Sequence, residues 1–280
     1  QVNTYRRLGY DGSEKVGQSG IEQWAEEYLA GKHGGVLHIV SPGGQIISTL
    51  GQSSPKAADS VYLTLDSNMQ SYAQRAIEFF PVGGAVVVME VKTGRIIAMA
   101  SSPHFDPNTF EQNNNNAGGS NLLPEGSQLN RAAQSAYPLG SVFKIITFSA
   151  ALDSGLYTKD TTYDCQYDFT RLPDRVLHDW TWQHCQDALA AGDFCDTTST
   201  KPSGLLTLKE GLMRSCNPYF WEIGWDLFTN LNRSSDVANM ARGFGLASKT
   251  GIDQIEEASE QILDPTTELD AVNQAIGQGD

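Results

Sequence analysis

The stretch Tyr137-Pro-Leu-Gly-Ser-Val-Phe-Lys-Ile-Ile-Thr-Phe148 places Ser141 and Lys144 three residues apart inside an almost wholly apolar run. A proline and a glycine interrupt the chain just before the serine, and the pattern that follows predicts a helix to Asp153, with Gly155 as its stop. On a helix this spacing sets the lysine amine beside the serine hydroxyl. A neutral amine in that position can take the hydroxyl proton, which predicts Ser141 as a nucleophile and Lys144 as its base.

The lysine must be buried for this chemistry, because burial disfavours its charged form and lowers its pKa. A shift from about 10.4 to near 7 corresponds to roughly 4–5 kcal/mol of differential solvation. The apolar neighbours Val142, Phe143, Ile145 and Ile146 are the residues expected to impose it.

The spacing alone is weak evidence, since a second match occurs between Ser53 and Lys56. That match contains a proline, which argues against a helix and favours a solvated loop. For Ser141 taken by itself, the alternative is a simple helix N-cap.

A second element places Ser215 and Asn217 in a tight loop between two helices. The run 207–214 predicts the first helix, and Pro218 opens an aromatic-rich second helix with Asn217 as its expected N-cap. A hydroxyl and an amide in such a loop could relay a proton and hold a substrate backbone. Capping alone is the competing interpretation.

Together these elements resemble the penicillin-recognising serine acyltransferases, and within them the class B penicillin-binding proteins. The resemblance implies an α+β transpeptidase fold, an antiparallel sheet flanked by helices. It covers nearly the whole chain and rests on these segments: 17–31, 61–66, 84–103, 105–108, 130–144, 215–217, 242–246 and 250–256.

The third motif of that family, Lys-Ser/Thr-Gly, is not identified. Lys92-Thr-Gly94 is predicted to be a hairpin tip. Lys249-Thr-Gly251 lies too soon after Ser215 and inside a segment that resembles another family feature. We therefore expect the sequence to be a fragment that stops before the third motif, with the C-terminal part of the fold missing.

Composition excludes some partners. The 280 residues carry 33 acidic and 19 basic side chains, a net charge of −14, which disfavours nucleic acid or an anionic membrane surface by repulsion. No transmembrane run or signal peptide is visible. The family resemblance implies the outer face of the bacterial cytoplasmic membrane.

Four cysteines are present, and Cys216 lies between the two loop residues, where we expect a buried thiol. A disulfide between two of Cys165, Cys185 and Cys195 is possible in an oxidising compartment, with no pairing readable. A zinc site using His178, His184 and these cysteines is the alternative, but the spacings match no familiar pattern. No metal or cofactor is predicted.

Residues 1–58 are predicted to be a lead-in region and 59–280 a transpeptidase domain. In the lead-in, a capping box at Ser19 starts a helix, strands follow at 36–40 and 45–50, and 51–57 form a linker. The main domain is expected to have a strand at 61–65, a helix with Met69 to Ile77, a hairpin at 84–101, a polar loop at 111–130 and an irregular surface excursion at 160–203.

The resemblance implies two-step acyl transfer from D-Ala-D-Ala stem peptides. Ser141 would attack, Lys144 would act as base, Ser215 would pass a proton to the leaving amine and Asn217 would hold the substrate backbone. β-Lactams would acylate the same serine, and a membrane glycan polymerase is an expected partner. Two alternatives stay open: a β-lactamase or carboxypeptidase, and a non-catalytic sensor or scaffold.

Overall fold

A computed structural model describes residues 10, 14–80, 82–107, 123–230 and 233–279. The chain divides into two compact units, Gln1–Ser135 with Thr250–Ala258, and Ala136–Lys249 with Ser259–Asp280. Helices and antiparallel strand pairs occur in both, which confirms the α+β class. The domain boundary predicted near residue 58 stays a prediction.

The first unit begins with two short helices, α1 (Gly20–Trp24) and α2 (Glu26–Leu29), and a hairpin of β1 (Gly35–Val40) and β2 (Ile46–Ser53). The predicted strands are confirmed, but the single helix predicted from Ser19 is divided in two at Ala25, and Ser19 makes no side-chain capping bond. The linker prediction is wrong at its start, because residues 51–53 pair with β1 and extend the hairpin.

A helix packed on a second hairpin completes the first unit. Helix α3 (Ser67–Glu78) lies on β3 (Gly84–Met89) and β4 (Ile96–Ser102), and α4 (Arg131–Gln134) follows. Small side chains on facing positions are buried there: Ala73, Ala98 and Ala100.

The hairpin tip falls at Lys92-Thr-Gly94 as predicted, and the amide of Gly94, at φ +73°, donates to Glu90. The strand predicted at 61–65 is wrong. Residues there form no strand, although Thr64 and Asp66 each hydrogen-bond to a carbonyl of β4. Within the polar loop predicted at 111–130, residues 111–122 lie outside the described residues.

The second unit contains a 3₁₀ helix (Gly140–Phe143) that leads into α5 (Lys144–Asp153), which ends as predicted before Gly155. The remaining elements are β5 (Thr162–Cys165), β6 (Asp168–Phe169), β7 (Leu177–His178), α6 (Trp180–Ala190), β8 (Gly204–Thr207), α7 (Leu208–Met213), α8 (Asn217–Thr229), α9 (Asp236–Gly243) and α10 (Glu268–Ala275).

The prediction of a surface excursion at 160–203 is wrong. Strand β5 pairs with β8, and the segment buries Cys165, Phe169, Asp179 and Thr181 almost completely. Its Thr- and Asp-rich composition suggested solvent exposure. Several of these polar side chains instead make local hydrogen bonds that allow burial.

Helix α8 is the centre of the second unit. It is buried on nearly every side, as a helix that is apolar all round must be, and it packs against α5 and α10. Gly224 permits the close crossing, since a Cβ there would lie 2.7 Å from the Ala271 oxygen. No helix among the described residues is long and apolar enough to span a bilayer.

Candidate active site

Ser141 lies in the 3₁₀ helix, and Lys144 is the first residue of α5. Side chains three residues apart eclipse one another in 3₁₀ geometry, which is tighter than the α-helix predicted for this stretch. The Lys144 Nζ consequently lies 3.2 Å from the Ser141 Oγ.

Lys144 also reaches the loop that carries the second element. Its Nζ donates to the Ser215 carbonyl at 2.9 Å, to the Ser215 Oγ at 3.1 Å and to the Asn217 Oδ1 at 2.5 Å. The Ser215 hydroxyl donates to the Ser141 Oγ at 2.9 Å. The structure therefore brings together all four residues singled out from the sequence, across more than 70 positions of chain.

The loop is formed by the way α7 ends and α8 begins. Thr207 and Glu210 form a capping box at the start of α7. At its end, Ser215 occupies the left-handed position (φ +51°) where glycine usually stands, and the amides of Ser215 and Cys216 bond back to Leu212 and Gly211. This reversal directs the Ser215 side chain toward Ser141.

The predicted cap of α8 is displaced by one residue. Cys216, not Asn217, is the N-cap, and its Sγ accepts from the Tyr219 amide at 3.3 Å. Asn217 is the first helical residue, so its side chain is not used for capping and is free to accept from Lys144.

Lys144 is fully buried, and desolvation lowers its pKa to about 8, against an opposing effect of the Asp179 carboxylate. At pH 7 about one lysine in ten would then be neutral. The predicted surroundings are half wrong: Phe143 and Ile146 are buried, but Val142 and Ile145 are 68% and 50% exposed. The Nζ instead contacts the Ser215 loop and lies 5.6 Å from the centroid of the Phe220 ring.

Asp179 is a site residue that the sequence did not indicate. It is the N-cap of α6 and only 1% exposed. Its Oδ1 accepts from the Asn217 amide at 3.0 Å, and its Oδ2 accepts from the Thr181 hydroxyl at 2.7 Å. The one available signal was local, an aspartate just before an apolar helical run, and that signal predicts a cap rather than a contact with the loop.

One cysteine prediction is wrong, that of a free thiol at Cys216, and one is confirmed, that of a disulfide between two of Cys165, Cys185 and Cys195. Cys216 is not a free thiol but is bonded to Cys165 on β5, which ties the Ser215 loop covalently to a buried strand. Cys185 and Cys195 form a second disulfide. The zinc alternative therefore has no thiolates available to it, and the described residues contain no cluster of three or more metal-ligating side chains.

The turn at Gly277 packs against Gly140, the residue that precedes Ser141. The Gly140 amide donates to the Gly277 carbonyl at 2.9 Å. Gly277 has φ +70°, and a Cβ there would lie 2.6 Å from the Phe143 Cβ and against the Gly140 carbonyl. Only glycine fits this contact, which fixes the start of the 3₁₀ helix.

The arrangement can perform nucleophilic chemistry with a short proton path. When Lys144 is neutral, its lone pair can accept the Ser141 proton while two N–H bonds remain for Asn217 and the Ser215 carbonyl. The Ser215 hydroxyl contacts both groups and can carry a proton between them and a third atom. Such a set suits acyl transfer through a serine ester.

Comparison with known proteins agrees with this chemistry. Residues 84–280 match the penicillin-binding protein transpeptidase domain, and residues 1–63 match the penicillin-binding protein dimerisation domain. The Escherichia coli K12 peptidoglycan D,D-transpeptidase MrdA is 29% identical over 99% of this chain and 42% of its own length.

Two solved structures share the fold. One, described as structural coordination of polymerization and crosslinking by a peptidoglycan synthase complex, has a TM-score of 0.69 at 29% identity, over 99% of this chain and 48% of the other. The other, Mycobacterium tuberculosis penicillin-binding protein A as a ceftriaxone acyl-enzyme complex, has a TM-score of 0.58 at 26% identity, over 78% of this chain and 46% of the other.

The chain spans less than half the length of these relatives. Its transpeptidase match nevertheless covers well over half of its own residues and includes the whole Ser141 site. The chain belongs to the penicillin-binding protein transpeptidase family.

Proposed function

We propose that the protein carrying this chain is a peptidoglycan D,D-transpeptidase that works through an acyl-enzyme on Ser141. The observation that supports this most strongly is the convergence of Ser141, Ser215 and Asn217 on one buried amine, the Lys144 Nζ. A purely structural lysine would be expected to pair with a carboxylate rather than with two hydroxyls.

In the proposed reaction, neutral Lys144 removes the Ser141 proton as Oγ attacks the carbonyl of a D-Ala-D-Ala stem peptide. The amide of Ser141 stabilises the oxyanion. Ser215 passes a proton to the leaving D-Ala amine, and Asn217 holds the substrate backbone through its side-chain amide. The amine of a second stem peptide then takes the acyl group, which restores the serine and forms the cross-link.

Relatives support the proposed partners, and the proposed location is the one that the family resemblance implies. The peptidoglycan synthase complex supports a membrane glycan polymerase as a partner. The ceftriaxone acyl-enzyme supports covalent reaction with β-lactams. The protein would act on the extracytoplasmic face of the cytoplasmic membrane, with residues 1–58 as part of a pedestal and 59–280 as the transpeptidase domain.

The test is labelling of the intact protein with a fluorescent penicillin. We expect stable label on the wild type, none on Ser141→Ala, and full labelling of Ser53→Ala, the matched control at the second Ser-x-x-Lys spacing. Label that persists on Ser141→Ala would refute the assignment. Label lost within seconds by hydrolysis would indicate a β-lactamase instead.

A further inference from the structure

The carboxylate of Asp179 joins two helix starts beside the proposed site. Its Oδ2 caps α6, accepting from the Thr181 amide at 3.4 Å and hydroxyl at 2.7 Å. Its Oδ1 accepts from the Asn217 amide at the start of α8. A capping aspartate needs only one oxygen and is usually exposed, whereas this one is 1% exposed and uses both.

The burial is significant because a buried carboxylate is costly unless it is hydrogen-bonded and faces positive charge. The amino ends of α6 and α8, 11 and 13 residues long, both direct N–H groups at Asp179. The Asn217 residue that donates its amide to Asp179 also accepts from the Lys144 Nζ with its side chain. Asn217 therefore connects the Asp179 carboxylate to the Lys144 amine.

We propose that Asp179 is a positioning residue for acylation: it holds Asn217, and with it the Ser215 loop, against Lys144, and its negative charge acts on the buried amine. The role in acylation rests on the proposed function. The contacts themselves do not.

The charge acts in a defined direction. Burial lowers the Lys144 pKa, and Asp179 limits the fall, so that the amine stays a stronger base. The other charged groups on helices packed against α5 are exposed or already paired. They are Lys209 and Glu210 (exposed), Glu222 with Arg171, Asp226 with Tyr157, Asp236 with Arg233, and Arg242 with Asp264. Asp179 is accordingly the anion whose removal should change Lys144.

The experiment measures the acylation rate constant of the intact protein with fluorescent penicillin as a function of pH. In wild type we expect the rate to rise through the Lys144 pKa, near 8. In Asp179→Asn we expect that rise to move to lower pH and the plateau to fall about tenfold or more, the loss typical of a hydrogen bond to a charged group. Asp168→Asn, which removes an exposed carboxylate bonded to His178, is the control and should behave as wild type.

Two further readouts do not require acylation. The Lys144 pKa, followed through the ¹³Cε shift of ¹³C-labelled lysine, should fall in Asp179→Asn, and amide exchange at Asn217 should accelerate. A wild type that fails to label at Ser141 would defeat the proposed function but leave these readouts to test Asp179. If folded Asp179→Asn has an unchanged pH profile, an unchanged Lys144 pKa and unchanged amide exchange at Asn217, the positioning role is overturned. If the plateau of the acylation rate falls but neither the pH of the rise nor the Lys144 pKa moves, Asp179 has only a structural role.

If Asp179→Asn does not fold, Thr181→Val is the replacement, because it removes one donor to the carboxylate with little change of shape. We expect about a fivefold slower acylation and faster exchange at the Asn217 amide. Wild-type values of both would refute the proposal.

Discussion

Replacement of Lys144 by Met tests whether the amine is as strongly desolvated as the structure indicates. Methionine fills a similar volume without a charge. The Lys144 pKa falls from 10.5 to about 8 on folding, which corresponds to about 3 kcal/mol of lost stability when the lysine is protonated in both states. The wild type bears this cost at pH 7, and the variant does not.

The direction of the change in stability with pH follows from the number of protons that each state binds. Between pH 8 and 10.5 the unfolded chain holds more protons on this lysine than the native state does, so wild-type stability rises with pH across that window. The difference in unfolding free energy, Lys144→Met minus wild type, should therefore fall by about 2 kcal/mol between pH 7 and pH 9.5. Hydrogen bonds lost in the variant shift the whole curve but not its slope.

Urea unfolding of both proteins at matched pH values is the assay. Buried tyrosines with raised pKa values, Tyr157, Tyr163 and Tyr219, are present in both proteins and cancel in the difference. All four cysteines are in disulfides, so no free thiol complicates the alkaline points. A difference that stays constant to within 0.5 kcal/mol, about the scatter of such comparisons, would refute the reasoning that burial activates Lys144.

Three further predictions concern the loop and its supports. Ser215→Gly and Ser215→Ala should lose acylation equally, but the free energy of unfolding should be about 1 kcal/mol higher for the glycine variant, because glycine adopts φ +51° without strain. Equal free energies of unfolding would contradict this. Replacing Cys165 and Cys216 together by Ala opens a loop of 51 residues, and it should lower the free energy of unfolding by about 4 kcal/mol and slow acylation. Replacing Cys185 and Cys195 opens a loop of 10 residues, and it should lower the free energy of unfolding by about 3 kcal/mol but leave the acylation rate unchanged. Gly277→Ala should lower the free energy of unfolding by about 2–3 kcal/mol, measured by urea unfolding, and should slow acylation, measured by penicillin labelling. Wild-type values in both assays would show that the turn can accommodate a side chain.

The residues of the site could be predicted where the signal is local. Ser141 and Lys144 are three residues apart, and the geometry that joins them depends on one turn of helix. Ser215 and Asn217 were located by helix start and stop signals, which lie within a few residues of them. The error of one residue at the cap arose because a cysteine, an uncommon cap, replaced the expected asparagine.

The parts that could not be predicted depend on contacts between distant segments. Asp179 is 38 positions from Asn217, and nothing in its own neighbourhood indicates that it faces another helix. The Cys165–Cys216 bond likewise joins β5 to the start of α8 across 51 positions. Polar composition suggested a surface segment, because composition reports average solubility and not which polar groups find partners.

The apolar run around Lys144 shows a second limit. Val142, Phe143, Ile145 and Ile146 are all hydrophobic, so the sequence cannot distinguish which of them face the core, and Val142 and Ile145 are exposed. The exposed β1–β2 hairpin is similar: its strands are predicted as two runs on either side of a Ser-Pro-Gly-Gly turn, but both faces remain in solvent. Periodicity identifies an element, whereas burial depends on what the element meets.

The proposed site combines three features that are unfavourable on their own. A buried amine, a serine in left-handed backbone and a buried carboxylate each cost free energy, and only the carboxylate is compensated locally, by its hydrogen bonds to Thr181. All three meet at the connection between α7 and α8: Lys144 bonds to Ser215 and Asn217, and Asp179 bonds to Asn217. Helix α8 is the most completely buried helix of the unit. Burial of that helix favours folding and offsets such costs, so the core can keep the buried amine of Lys144 next to Ser141. Substitutions that remove the buried charge of Lys144 or the left-handed strain at Ser215 should therefore stabilise the fold and weaken the chemistry together.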